Sequence, residues 1–303
     1  YPFGATGLAT PSNISAGDLS LLTVTVTPGT SPTSTGIAVT CNLSAIGGPA
    51  SQAFYDDGTH GDLVAGNNVF SYTTTSTVAG SQTVVCTFSD AQSRSGTVTI
   101  TLTVITVLPI GTVNGPVLDT DIGTAHVSPY NGSTVTIKGV IYEKTLQAIS
   151  NSSNTYKGFF LQNTAASKDA DPNTSDGLFV FMSTSSTIGA YTPVVGDEII
   201  LTGKVSEYYN MTELVSPLTL QSVVRTGVNV DSEIPPVVVN PPVAAADANR
   251  YWERLQGMRV QVPSASIVLG GRNVFSPADA EIWLARSDST VAQRVTPYTN
   301  RAF

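Results

Sequence analysis

Carboxylates and amides gather at two places in the chain. In "FYDDGTHGDLVAGNNVF", residues 54–70, Asp56, Asp57 and Asp62 stand among three glycines, with Asn67 and Asn68 close behind. In "DADPNTSD", Asp169, Asp171 and Asn173 alternate and Asp176 follows. Hard oxygens at such spacing suit Ca²⁺, which takes six to eight of them from a flexible loop. Both stretches read equally as turns, since Asp and Asn side chains cap their own backbone and glycine frees it for positive φ. Neither is an EF-hand: counting from Asp169, the sixth position is Thr174 and the twelfth is Val180. In the first stretch Phe54 and Phe70 are expected to anchor the loop's ends in a core.

Hydrolytic chemistry finds little to work with. Metal-dependent phosphodiester cleavage needs carboxylates on a metal and a base beside the attacking water. The two histidines, His60 and His126, fall in different blocks. The sequence contains no G-x-S-x-G elbow, phosphate loop, dinucleotide fingerprint or zinc-type Cys/His spacing. The expectation is a chain that is not itself catalytic.

The elements that hold these residues read as strands. Over residues 9–105, Thr and Ser alternate with Val, Leu and Ile, and Gly, Pro, Asn or Asp fill the gaps. That pattern predicts an immunoglobulin-type β-sandwich over 1–106, without the usual core Trp. Cys41 and Cys86 sit in two of its strands and are expected to form a disulfide joining the two sheets, as suits an oxidising compartment. The opening "YPFGATGLATP" shows no clear strand register.

Residues 107–230 hold a linker and five strand candidates, which fit an OB-type barrel. Gly196-Asp197 opens one strand and "YYN" turns into the last. Residues 231–303 are expected to hold a Pro-rich linker, a helix in "DANRYWERLQGM" capped by Asp247 or Asn249, and a few strands of a truncated module or a segment packed on the barrel. The fold class is all-β.

Charge narrows the partners. The chain's 303 residues carry a net charge of −8, and residues 1–106 hold one base against five acids. A bare polyanion meets like charge over most of that surface unless a divalent cation intervenes. OB barrels bind nucleic acid by stacking bases on exposed aromatics beside cations. Tyr156, Lys157, Lys204, Tyr208 and Tyr209 are the candidates for such a face. No apolar run is long enough to span a membrane. The absence of an initiator Met and of a signal peptide suggests a mature or cut piece of a longer secreted protein.

The run "GFFLQNTAASKDADPNTSDGLFVF", then "VVGDEIILTGKVSEYYNMTEL", resembles the OB-fold region of secreted bacterial nucleases of the ExeM type. The shared pattern covers Gly158 to Gln162, Asp169 to Phe179 and Val195 to Glu207, and "YWERLQGMRVQV" resembles the segment that follows the barrel. The likeness spans about residues 133–303, and the opening domain resembles bacterial immunoglobulin-like repeats. The resemblance implies a secreted or cell-surface bacterial nuclease whose hydrolysis belongs to a separate endonuclease/exonuclease/phosphatase domain farther toward the C-terminus. It transfers no catalytic residue to this chain. A second class stays open: a structural or adhesive surface protein that self-associates into a filament by strand addition.

Overall fold

The computed structural model describes residues 3–118, 126–148, 155–242, 245–264, 266–268, 273–276, 279–281 and 284–290. It divides into two compact units. One ends at Val107 and also takes in Gln221–Val224; the other holds the remainder from Leu108 onward.

The first unit is the expected sandwich. Its first sheet has the order β1-β3-β6, formed by β1 (Gly4–Thr10), β3 (Leu19–Thr27) and β6 (Val69–Thr75). The second has the order β2-β8-β7-β4-β5: β2 (Asn13–Ser15), β4 (Ala38–Asn42), β5 (Gln52–Phe54), β7 (Gly80–Ser89) and β8 (Ser95–Ile105). Period-two alternation drives the packing. In β3, Ser20, Leu22, Val24 and Val26 are buried while Leu19, Thr25 and Thr27 face water. Leu22, Val24, Val39, Val84, Ile100 and Leu102 belong to one apolar cluster, with Phe54 and Phe70 also inside it.

Two expectations change here. Gly4–Thr10 is a strand, paired antiparallel with β3 from Gly4↔Thr27 to Thr10↔Leu21. Its small residues carry no amphipathic signal, so the register comes from the partner's backbone. Cys41 and Cys86 do form the disulfide, but as direct neighbours on β4 and β7 of one sheet, not between sheets.

The second unit centres on a closed barrel of order β10-β11-β13-β12-β9. Its strands are β9 (Thr134–Ala148), β10 (Thr155–Gln162), β11 (Gly177–Phe181), β12 (Glu198–Tyr208) and β13 (Met211–Arg225). All neighbours described by register are antiparallel except β11 and β13, which run parallel with Phe179 opposite Glu213. This is the OB-type order, closed so that no sheet edge is left. Phe159, Leu161, Leu178, Val180, Ile199, Leu201 and Leu214 are buried. The short α1 (Ile110–Asn114) buries Ile110 and Val113. Tyr209 and Asn210 make the tight β12–β13 turn with φ of 49° and 65°.

Residues beyond β13 group with the barrel unit. They include α2 (Val230–Glu233), β14 (Val237–Val238), α3 (Ala245–Glu253) and β15 (Val260–Gln261), which pairs parallel with β14. Asp247 and Asn249 lie inside α3 rather than capping it, and Asp247 pairs with Arg250 one turn on. The remaining strands are short: β16 (Ile267–Val268), β17 (Asn273–Ser276), β18 (Asp279–Glu281) and β19 (Leu284–Ala285).

The disulfide closes a long stretch of the sandwich, with a sequence separation of 45. Removing it with Cys41→Ser/Cys86→Ser is expected to cost about 4 kcal/mol on the chain-entropy estimate. Urea unfolding of the two forms measures this.

Candidate functional site

The first acidic loop is satisfied by its own backbone. Asp56 accepts from the amides of Asn67 and Asn68 at 3.0 and 2.9 Å. Asp57 accepts from the Thr59 amide, and Asp62 from those of Gly58 and Val64. Gly58, Gly61 and Gly66 take positive φ. At Gly61, with φ of 98°, a Cβ would also crowd the Thr73 and Leu21 side chains, so any other residue is strained there. His60 stacks on Tyr55 at 3.9 Å. The loop is a rigid turn whose carboxylates already hold amide protons.

The second acidic loop joins β10 to β11, and its residues differ from one another. Asp169 accepts from the Asp171 amide and the hydroxyls of Thr174 and Thr112. Asp171 accepts from the backbone and side-chain amides of Asn173. Asp176 takes no side-chain hydrogen bond, and its Oδ1 is buried without a donor. Burial pushes its carboxyl up to about 6; Lys168 pulls against that rise and Asp169 adds to it. Among the described residues no three His, Cys, Asp or Glu side chains gather closely enough to hold a metal ion.

Asp176 faces a cleft of about 390 Å³. One wall is Lys168, Asp169, Asp171 and Thr174; the other is Tyr251, Arg254, Leu255 and Met258 from the end of α3 and the turn after it. The Arg254 guanidinium makes no hydrogen bond or ion pair among the described residues, and its Nε is buried without an acceptor. Lys168 is exposed, and its charge acts on Asp176 across the cleft. Burying an ionised group without a partner costs several kcal/mol. Arg254 Nε and Asp176 Oδ1, a buried donor and a buried acceptor without partners among the described residues, give the cleft polar groups that suit a polar ligand.

A strap from Gln256 to Arg259 sets the second wall. Gln256 accepts from the Ser175 hydroxyl and, through Oε1, from the Thr212 amide, while its Nε2 donates to Asn210 O. Tyr142 donates to Gly257 O at 2.7 Å, and the Arg259 amide donates to Gln162 Oε1. Gly177 lies against Gly257 so closely that a Cβ there would collide with the strap's backbone. Beside this crossing, Tyr142, Phe160 and Phe179 form a row with ring centres 5.7 and 4.8 Å apart.

Under the strap's contact with β13 lies a pair of carboxyls. Glu207 Oε1 accepts from the Ser128 amide and the Thr212 hydroxyl, but Oε2 is buried with no partner. Glu213 is 5% exposed and its carboxyl takes no hydrogen bond among the described residues. Burial, and then the Glu207 charge, push it up to about 7.

Of the residues expected to make a nucleic-acid face, the two lysines stand apart. Lys157 lies opposite Leu146 and Lys204 opposite Thr134, at the two ends of β9. Lys157 bonds the Ser186 hydroxyl. Tyr208 and Tyr209 are 59% and 88% exposed and meet edge to face at the β12–β13 turn. The side chain of Tyr156 lies outside the described residues. Lys168 is far in the chain from Tyr251 and Arg254, and only the fold brings it to them.

Glu213 binds its proton more tightly folded than unfolded. Its contribution is complete below the usual glutamate range and is lost as pH rises through about 7. Between pH 5 and 8 stability is expected to fall by about 2–3 kcal/mol. Glu213→Gln is expected to flatten most of that slope in urea midpoints taken across pH. Gly177→Ala is expected to lift the strap, which hydrogen exchange reads as lost protection at the Arg259 amide while the barrel strands keep theirs.

No family model matches the chain, and no curated protein matches it. Among solved structures it is similar to the N-terminal Ig1-2 module of the Drosophila receptor protein tyrosine phosphatase DLAR. That match has 14% identity and a TM-score of 0.24, over 73% of this chain and 97% of the other. A superposition that loose carries no argument, and the sandwich and barrel stand on their own strand order.

Proposed function

We propose that this chain is the non-catalytic, strand-presenting region of a secreted nuclease-like protein, and that its barrel unit engages single-stranded nucleic acid. The observation that supports this is one cleft lined by two cations and an aromatic ring, Lys168, Arg254 and Tyr251, in which the buried Arg254 Nε has no acceptor. A phosphate between the two cations makes charge-assisted hydrogen bonds, and an aromatic ring offers any base a stacking surface. The carboxylates alongside oppose a polyanion, so Ca²⁺ or Mg²⁺ is expected to help the complex. The sandwich acts as a spacer, and the disulfide suits life outside the cell.

A structural or adhesive role draws on a different observation. Leu63 is 90% exposed at the tip of the rigid 56–68 loop, with Val64 beside it.

Fluorescence anisotropy with a labelled single-stranded oligonucleotide separates the two readings. Binding that weakens with salt, strengthens with Mg²⁺ or Ca²⁺ and leaves the oligonucleotide uncut is the expected result. Absence of binding, with concentration-dependent self-association abolished by Leu63→Ser, supports the adhesive role. Cleavage by the purified chain, lost in Asp176→Asn, would sink the non-catalytic reading.

A further inference from the structure

Lys168 acts on Asp176 through charge alone, and no hydrogen-bond donor among the described residues reaches the buried Asp176 Oδ1. Its carboxyl lines the same cavity, takes no hydrogen bond and is distinct from Asp169 and Asp171, whose oxygens hold the turn together. A phosphate cannot satisfy it, since both are acceptors. What it needs is a donor carried by the same ligand, a short reach from the anion. The volume of about 390 Å³ and the apolar edges of Leu255 and Met258 admit a ring of nucleobase size.

We propose that the cleft holds one nucleotide of a single-stranded nucleic acid and selects its base: the phosphate sits on Arg254 and Lys168, the ring packs against Tyr251, and an exocyclic amine donates to Asp176. This rests on the nucleic-acid reading above and adds a base preference to it. A carboxylate accepts well from the N4 amine of cytosine. Thymine has no exocyclic amine, and its one ring N–H is flanked by two carbonyl oxygens that repel a carboxylate. Burial raises the Asp176 carboxyl only to about 6, so it is an ionised acceptor at pH 7.5. Within such a site each good polar pair is worth on the order of tenfold in discrimination.

The experiment measures affinity for oligo-dC and oligo-dT at pH 7.5 over a salt series, for the intact chain, Asp176→Asn and Arg254→Gln. Both substitutions nearly preserve shape, and thermal melts show whether each variant is folded. The expected result is about tenfold tighter binding of oligo-dC. Asp176→Asn is expected to bring the ratio near one, by weakening oligo-dC and by relieving the repulsion of the thymine carbonyls in oligo-dT. Arg254→Gln is expected to weaken both oligonucleotides alike and to lower the slope of log affinity against log salt by about 0.7. Oligonucleotide binding with no base preference, or with a preference that survives Asp176→Asn, overturns the inference and leaves the nucleic-acid reading standing. Failure of both oligonucleotides to bind overturns both. Free dCMP competing as well as the oligonucleotide overturns the strand assignment in favour of a mononucleotide site.

Discussion

The close approach of Gly177 to Gly257 is the constraint on which the site depends. The acidic turn runs straight into Gly177, and α3 runs through its last turn into Gly257. Bringing these two backbones into contact sets the residues before each of them on facing walls of one cleft. Only a residue without a Cβ permits that approach at 177. The strap adds little apolar burial and is held mainly by hydrogen bonds to Ser175, Thr212, Asn210, Tyr142 and Gln162. Each such bond contributes about 1 kcal/mol net, so no single one fixes the strap. Their spacing across β9, β10, β13 and the turns before β11 and β13 does, because the strap cannot shift without breaking several at once.

The two acidic loops show why composition alone misleads. Both are rich in Asp, Asn and Gly, yet they differ in what the carboxylates touch. At Asp56, Asp57 and Asp62 every carboxylate already accepts backbone amides, and the loop's charge is absorbed in holding its shape. At Asp169 and Asp171 the same is true, but Asp176 stands at the point where the turn becomes β11 and is directed away from it. A side chain at the end of a turn is no longer needed to cap it. That position, more than the number of acids nearby, leaves one carboxyl free.

Much of the fold was legible because alternation reports burial directly. β3, β7, β8 and the five barrel strands fall where apolar residues repeat at period two or run continuously. β1 was not, since Gly, Ala and Thr fit either face and its pairing is set by β3. The disulfide was legible as a bond but not as a connection, because the alternation around Cys41 and Cys86 gives the face of each strand and not which sheet it joins. The site was half legible. Asp176 drew notice as part of a ligand set, whereas Arg254 and Tyr251 sat in a helix whose docking no local pattern predicts. The lysines of the expected face stand apart for a related reason: β9 is long enough to pair with Lys157 of β10 at one end and Lys204 of β12 at the other.

An acidic chain that engages a polyanion needs its cations concentrated rather than spread. At physiological salt, exposed charges more than about 8 Å apart are largely screened from one another, so net charge sets the long-range approach but not the contact. On the reading proposed above, a phosphate in the cleft meets Asp169, Asp171 and Asp176 as well as Lys168 and Arg254, so direct contact with the cations, or a divalent cation, has to outweigh the acids. The strap crosses beside Tyr142, Phe160 and Phe179, leaving Phe179 only 9% exposed and withdrawing much of that row from stacking. The same segment that covers the row brings Tyr251 and Arg254 to the cleft at its edge.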